Sequence, residues 1–316
     1  MANGDAGRPG ALAAIGGTPM VRLTRIAGPE AAEVWVKLEA ANPTGSYKDR
    51  MALAMIEAAE RAGRLRPGQT VVEYTGGSTG SSLAFVCAIK GYATRIVTSD
   101  AFAEEKLATM RAFGAQLDVL PSPEGITPQL LPAMRERALE IAEEIDGFRT
   151  DQFQNQDMPT GYHAMGEEIL AHLGGGVDAW VAYVGTAGCF LGVGATLRER
   201  LPDVRRVAVE PAESAVLSGR PAGTHRIEGG GTGFVPPLLD PARDVDEVRA
   251  VPQEEAFAMA RRAAREEGVW SGPSTGANLV AAVAVARELG PGHRVVTPAV
   301  DSGLKYLGGH LYRQHR

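Results

Sequence analysis

The sequence predicts an α/β protein of two domains, each a mostly parallel twisted sheet flanked by helices, with a cleft between them. Three observations carry this. Short β-rich runs alternate with helix-length periodic segments, the alternation runs in two successive series, and glycine-rich turns sit where strands hand over to helices. The 316 residues are enough for roughly two domains of ordinary size.

The first series opens with Val34-Trp35-Val36-Lys37-Leu38, a β-branched and aromatic run that reads as a strand. Residues 48–62 read as a helix, with an apolar face at Met51, Leu53, Ala54, Met55, Ile56, Ala58 and Ala59. Thr70-Val71-Val72-Glu73-Tyr74 is a strand, followed by a glycine-rich turn and a helix over 80–90. Strand 93–98, helix 103–113, strand 115–120 and helix 129–145 complete this series. The second runs helix 159–172, strand 179–184, helix 190–201 and strand 206–210, then helices near 253–267 and 275–289 and a strand over 294–298. Residues 211–246 are Gly/Pro-rich without periodicity and read as a long functional loop. Pattern alone puts the domain boundary near Gly147–Asp151.

Composition narrows the function classes. Hydrophobic residues make up 44% and charged residues 22%, enough apolar surface for a real core. The net charge is −6 with both signs interspersed, so nothing points to nucleic acid or an anionic membrane as partner. The longest apolar run, Leu279 to Ala286, is too short to span a bilayer, and Met1 to Gly10 lacks a signal-peptide core. Two distant cysteines, Cys87 and Cys189, suit a reducing cytoplasm, and the six histidines show no metal-ligand spacing.

Four loops stand out chemically. Asn42-Pro43-Thr44-Gly45-Ser46-Tyr47-Lys48-Asp49-Arg50 is a polar turn entering a helix, with Ser46 placed to cap it. Lys48 then falls in the first helical turn, the end that carries roughly half a positive charge; a lysine there is driven toward its neutral, nucleophilic form. The plainer alternative is a solvated lysine beside Asp49 and Arg50. Thr75-Gly76-Gly77-Ser78-Thr79-Gly80 and Gly185-Thr186-Ala187-Gly188-Cys189 both lie between a strand and a helix, where backbone N–H groups make anion sites. Each also reads simply as a glycine turn, and Cys189 as a small buried residue. Gly272-Pro273-Ser274-Thr275-Gly276-Ala277 opens a helix, with Ser274 at an N-cap by local rules. None of the glycine loops follows Gly-x-Gly-x-x-Gly with an acidic residue about twenty positions on, which argues against a Rossmann oxidoreductase.

Taken together and in order, these segments resemble the cysteine synthase family of pyridoxal 5′-phosphate (fold type II) β-replacement enzymes. The resemblance runs from Ile15-Gly16-Gly17-Thr18-Pro19 to Ser302-Gly303-Leu304-Lys305-Tyr306-Leu307. It implies that Lys48 anchors the cofactor covalently and shuttles the α-proton. It implies that Gly185, Thr186, Ala187, Gly188 and Cys189 hold the phosphate, and that Ser274 faces the pyridine nitrogen. By the same resemblance Thr75, Gly76, Thr79 and Gln152 (in Asp151-Gln152-Phe153-Gln154-Asn155) bind the substrate carboxylate. Gly229, in Glu228-Gly229-Gly230-Gly231-Thr232-Gly233-Phe234, belongs to a mobile loop over the mouth. The family pattern Thr-Ser-Gly-Asn-Thr-Gly has an asparagine, which reaches the ring hydroxyl, where this chain has Ser78, and a serine where it has Gly76. The phosphate loop, usually Gly-Thr-Gly-Gly-Thr, carries Ala187 and Cys189.

The resemblance further implies a homodimer and a division into a larger domain, 1–45 with 147–316, and a smaller mobile one, 46–146. Its reaction is replacement of the β-substituent of an O-substituted L-serine, through an aminoacrylate, by sulfide or another nucleophile. A serine/threonine ammonia-lyase, which would release a keto acid, and a binding protein that keeps the fold with weak turnover are the two alternatives.

Overall fold

The computed structural model describes residues 10–124, 127 and 129–312; residues 1–9 and His315 lie outside them. In chain order the elements are β1 (Met20–Arg22), β2 (Glu33–Leu38), α1 (Lys48–Arg61), β3 (Thr70–Tyr74), α2 (Ser78–Lys90), β4 (Ala93–Ser99), α3 (Glu104–Ala112), β5 (Gln116–Leu120), α4 (Leu130–Glu144) and β6 (Phe148–Arg149). There follow α5 (His163–Leu173), β7 (Ala179–Tyr183), α6 (Gly188–Arg200), β8 (Arg205–Pro211), α7 (Pro241–Asp244), β9 (Glu247–Val251), α8 (Gln253–Glu267), α9 (Pro273–Leu289) and β10 (Arg294–Ala299).

The strands form two sheets. One has six strands in the order β1-β2-β10-β7-β8-β9, the other four in the order β5-β4-β3-β6. Only the β1–β2 pair is antiparallel among the described strands. β7 is buried at every residue, as a central parallel strand covered on both faces must be. Edge strand β5 is partly exposed and carries Asp118, which meets Arg95 at 3.3 Å and Arg137 at 3.4 Å. One apolar core runs from one face of the six-stranded sheet around Trp180 and Phe190 through α5, α6 and α1 to α2; a second packs α8 and α9 on its other face. Among the described residues no helix is long and apolar enough to cross a membrane.

Several elements escape sequence reading. β1, β6 and α7 are two to four residues long, too short for periodicity to register, and β9 (Glu-Val-Arg-Ala-Val) is a charged edge. β6 pairs with β3, so residues 148–149 extend the four-stranded sheet. Three helices start earlier than predicted, α2 at Ser78, α6 at Gly188 and α9 at Pro273. Glycine and serine there already take helical geometry, and proline is preorganised for N1. The predicted cap at Ser46 is realised one step early: its Oγ accepts from the Lys48 N–H at 3.0 Å. The cap of α9 is Gly272, not Ser274, which sits inside the first turn.

A buried ion cluster joins the 15–18 turn, β2, α1 and α5. The Arg50 guanidinium forks onto Glu39 (2.7 and 3.0 Å) and onto Glu168 (2.8 Å from each terminal nitrogen). Lys37 Nζ reaches Glu168 at 2.6 Å and also donates to the Thr18 carbonyl. Thr18 Oγ1 and Asn42 Nδ2 donate to Glu39 at 2.6 and 2.8 Å. Two cations thus face two carboxylates, with the remaining lone pairs satisfied, the condition under which a buried cluster is tolerated. Burial works against the ionised Glu168, but Arg50 and Lys37 outweigh it and hold its carboxyl at about 2.

Glu168→Gln leaves two buried cations under-compensated, and we expect an unfolding free energy lower by about 3–5 kcal/mol. The Glu168 contribution is fully present above the ordinary carboxylate value of 4.5 and disappears as pH falls through about 2. The gap between wild type and variant in denaturant titrations therefore closes over that window.

Candidate active site

Lys48 owes its direction to its neighbours. Asp49 accepts from Thr44 N at 2.8 Å and Thr44 Oγ1 at 2.5 Å, fastening the preceding loop, while Arg50 is locked in the ion cluster. Both are buried, so the reading of a solvated Lys-Asp-Arg run does not hold. Lys48 Nζ lies 3.7 Å from the Met51 sulfur and 5.0 Å from the centroid of the Tyr47 ring. No carboxylate among the described residues pairs with it. Burial pushes its ammonium down to about 8, with Cys189 and Glu73 opposing weakly. An amine there is neutral in a useful fraction near physiological pH.

Lys48 opens into a cavity of about 470 Å³ between the two sheets. Tyr74 and Thr75 at the end of β3, Gly185 and Thr186 after β7, and Val300 and Asp301 after β10 line it, so it lies at the carboxyl ends of parallel strands. A groove of about 550 Å³ around α8 is larger but contains none of the sequence-predicted site residues. The starts of α1, α2 and α9 contribute Lys48, Ser78 and Ser274 to the cavity, and the turn into α6 contributes Gly185 and Thr186. Four helix N-termini therefore converge, each favouring negative charge in the space between them.

The carboxylate loop is held by a buried network. Glu73 accepts from Thr150 Oγ1 (2.7 Å), Gln152 N (3.0 Å) and Tyr74 N (2.8 Å). Gln152 Oε1 in turn accepts from Thr79 Oγ1 at 2.7 Å. Burial lifts the Glu73 carboxyl to about 7 against these hydrogen bonds. Sequence reading passed over Glu73; its one signal was a lone acid near the end of an apolar strand. At Gly76 a Cβ would stand 2.1 Å from the Phe102 ring, so that ring fills the room a side chain would need. Ser78 Oγ accepts from Lys305 Nζ at 3.1 Å.

The phosphate-loop candidates divide. Gly185 and Thr186 line the cavity, and a Cβ on Gly185 would stand 2.3 Å from the Gly229 carbonyl, so only glycine lets the two loops approach. Ala187 caps α6 in a left-handed conformation (φ +69°), the one a glycine would favour. Gly188 packs against Met158, and Cys189 is buried in the apolar core, close enough to Lys48 to interact with it, and is not among the cavity-lining residues, its thiol pushed well up by burial. As a hydroxyl substitute Cys189 is thus out of place, while the backbone N–H groups at the start of α6 are unaffected. Ser274 Oγ is buried and has no hydrogen-bond partner among the described residues. Gly229 faces it: a Cβ there would lie 3.5 Å from that oxygen. A buried hydroxyl left unpaired costs free energy, and one lining a cavity calls for a ligand atom. A phosphorylated pyridine aldehyde fits: an amine to link, backbone donors for the phosphate, and a hydroxyl for a ring nitrogen.

Comparison with known proteins agrees. Residues 11–301 match the family described as "Pyridoxal-phosphate dependent enzyme". A cysteine synthase of Staphylococcus aureus is 42% identical over 300 residues, 94% of this chain and 95% of that protein. The crystal structure of O-acetyl serine sulfhydrylase isoform 3 from Entamoeba histolytica superposes with a TM-score of 0.91 at 35% identity, covering 100% of this chain and 95% of that one. That of an O-ureido-L-serine synthase superposes with a TM-score of 0.90 at 36% identity, covering 98% and 96%. With the fold, the buried amine and this likeness over nearly its whole length, the chain belongs to the pyridoxal-phosphate-dependent enzymes, in the cysteine synthase group of β-replacement enzymes that act on O-substituted L-serines.

Proposed function

We propose that this cleft replaces the acetyl ester of O-acetyl-L-serine with sulfide or another small nucleophile. The observation that carries the reading is the pairing, in one cavity, of a buried Lys48 free of carboxylate partners with an unpartnered Ser274 hydroxyl. The named activity of the O-acetyl serine sulfhydrylase neighbour supports the donor. So does charge: Lys106, one of the cations in the lining, is already paired with Glu228 and is not free for a phosphate leaving group.

When bound, pyridoxal 5′-phosphate supplies an electron sink for negative charge at the substrate Cα. Lys48 Nζ would hold the cofactor and, as a free amine, take and return the substrate's α-proton. The amides entering α6, with Gly185 and Thr186, hold the phosphate. Ser274 offers a hydroxyl to the ring nitrogen; a hydroxyl cannot hand over its proton at neutral pH, which favours rapid loss of a β-substituent over transamination. Thr75, the Gly76 backbone and Thr79 hold the substrate carboxylate, with Gln152 fixed by Glu73 and Thr79 beside them. Gly229 keeps the loop opposite Ser274 close. We place 1–45 with 147–316 in the larger domain and 46–146 in the smaller, except that β6 at 148–149 pairs with β3 and so joins the smaller half. The buried free thiols of Cys87 and Cys189 support a cytoplasmic setting, and family resemblance supports a homodimer.

Lys48→Ala is expected to abolish the visible absorbance of lysine-linked cofactor and to lower turnover by about 10²–10⁴-fold or more. Cofactor uptake by cofactor-free protein should accelerate as pH rises through about 8, because only the neutral amine attacks, and slow about tenfold per unit below it in stopped-flow absorbance. Steady-state assays with sulfide should give a higher kcat/KM for O-acetyl-L-serine than for O-phospho-L-serine; the reverse order, or keto acid release without sulfide consumption, refutes the proposed reaction.

A further inference from the structure

Ser78 stands where the resembled pattern has an asparagine, and a hydroxymethyl reaches less far and carries one donor rather than two. The structure contains a second group at that point. Lys305 leaves the turn after β10, runs beneath the loop that carries Lys48 and ends on Ser78. Its Cε lies 3.7 Å from where a Cβ on Gly45 would stand, and its Nζ lies 3.1 Å from Ser78 Oγ. It is 7% exposed. Burial lowers its proton affinity and Lys106 adds to the lowering, while the carboxylates of Asp301 and Asp49 favour its charged form and oppose the shift in part.

The chemistry of this contact has one direction. As an ammonium, the form that Asp301 and Asp49 favour, Lys305 has only donors, so it donates and Ser78 accepts. The Ser78 proton is left over, and Ser78 lines the cavity. We propose that Lys305 is a positioning residue that orients the Ser78 hydroxyl as a charge-assisted donor to the ring oxygen of the bound cofactor, the pair together replacing the asparagine. This rests on the reading of Ser78 as a cofactor contact. Because Lys305 belongs to the six-stranded half and Ser78 starts α2 in the four-stranded half, the contact also spans the cleft.

The test uses holoenzyme carrying Lys305→Met, Lys305→Arg, Ser78→Ala, Ser78→Asn and the double variants, read by the ratio of the visible to the near-ultraviolet cofactor band and by cofactor dissociation on dilution. Lys305→Met and Ser78→Ala should each shift the ratio toward the near-ultraviolet band and weaken cofactor binding roughly tenfold, without adding in the double variant. Lys305→Arg should keep the wild-type spectrum, and Lys305→Met should have little effect in the Ser78→Asn background, where the amide donates unaided. A shift in Ser78→Ala with none in folded Lys305→Met overturns the role of Lys305 alone. No shift in either overturns the reading of Ser78 beneath it. Additive losses show two independent contacts and overturn the pair. Should Lys305→Met not fold, Lys305→Arg and the Ser78 variants decide: an altered spectrum in Lys305→Arg alone, with Ser78→Ala unchanged, overturns it.

Discussion

The Arg50 guanidinium, clasped by Glu39 on one side and Glu168 on the other, is the interaction on which the rest of the site depends. It lies two residues beyond Lys48 and ties the start of α1 to β2 and α5. Helix geometry then leaves Lys48 little choice of direction, since its own turn is held at Asp49 and Arg50. A buried ion cluster rarely contributes much net stability over apolar packing. What it contributes here is uniqueness: four charges that must satisfy one another admit one register of α1 against the six-stranded sheet. The catalytic amine is placed by electrostatics, while its own surroundings are kept apolar enough to lower its proton affinity.

Around that amine the parallel topology does the gathering. Strands β3, β7 and β10 end at one cavity, where the first turns of α1, α2 and α9 and the turn into α6 also meet. The convergent helix ends explain why an anionic cofactor and a substrate carboxylate belong here, while burial drives the lysine at the centre toward neutrality. The loops must come close for this. Gly185 against the Gly229 carbonyl is one place where any side chain would force them apart, and Ala187 in its left-handed turn shows that the backbone path persists after a glycine is replaced.

Much of this was legible beforehand, for local reasons. The Lys48 loop, the glycine turns and Ser274 are contiguous segments whose residue types carry their own geometry, and the alternation of strands and helices follows from side-chain periodicity. What escaped was long-range pairing. Glu39 and Glu168 are ordinary acids in sequence, 129 positions apart, until the fold sets both on Arg50. Glu73 looked like one charge in a strand, yet it orients Gln152 from 79 positions away. Cys189 matched a motif position by order, but its side chain is buried in the apolar core, within a helix that begins at Gly188.

The sequence by itself determined the two-series α/β architecture, the lysine at a helix start and the kind of cofactor chemistry, because periodicity, turn formers and contiguous motifs act over a few residues. Only the tertiary structure decided which polar groups end with partners and which are left facing the cavity. Ser274 without a partner, Ser78 against Lys305, and Phe102 in the space beside Gly76 are all consequences of packing between segments far apart in the chain. Burial and hydrogen-bond satisfaction are properties of the assembled interior, and no local run of residues specifies them.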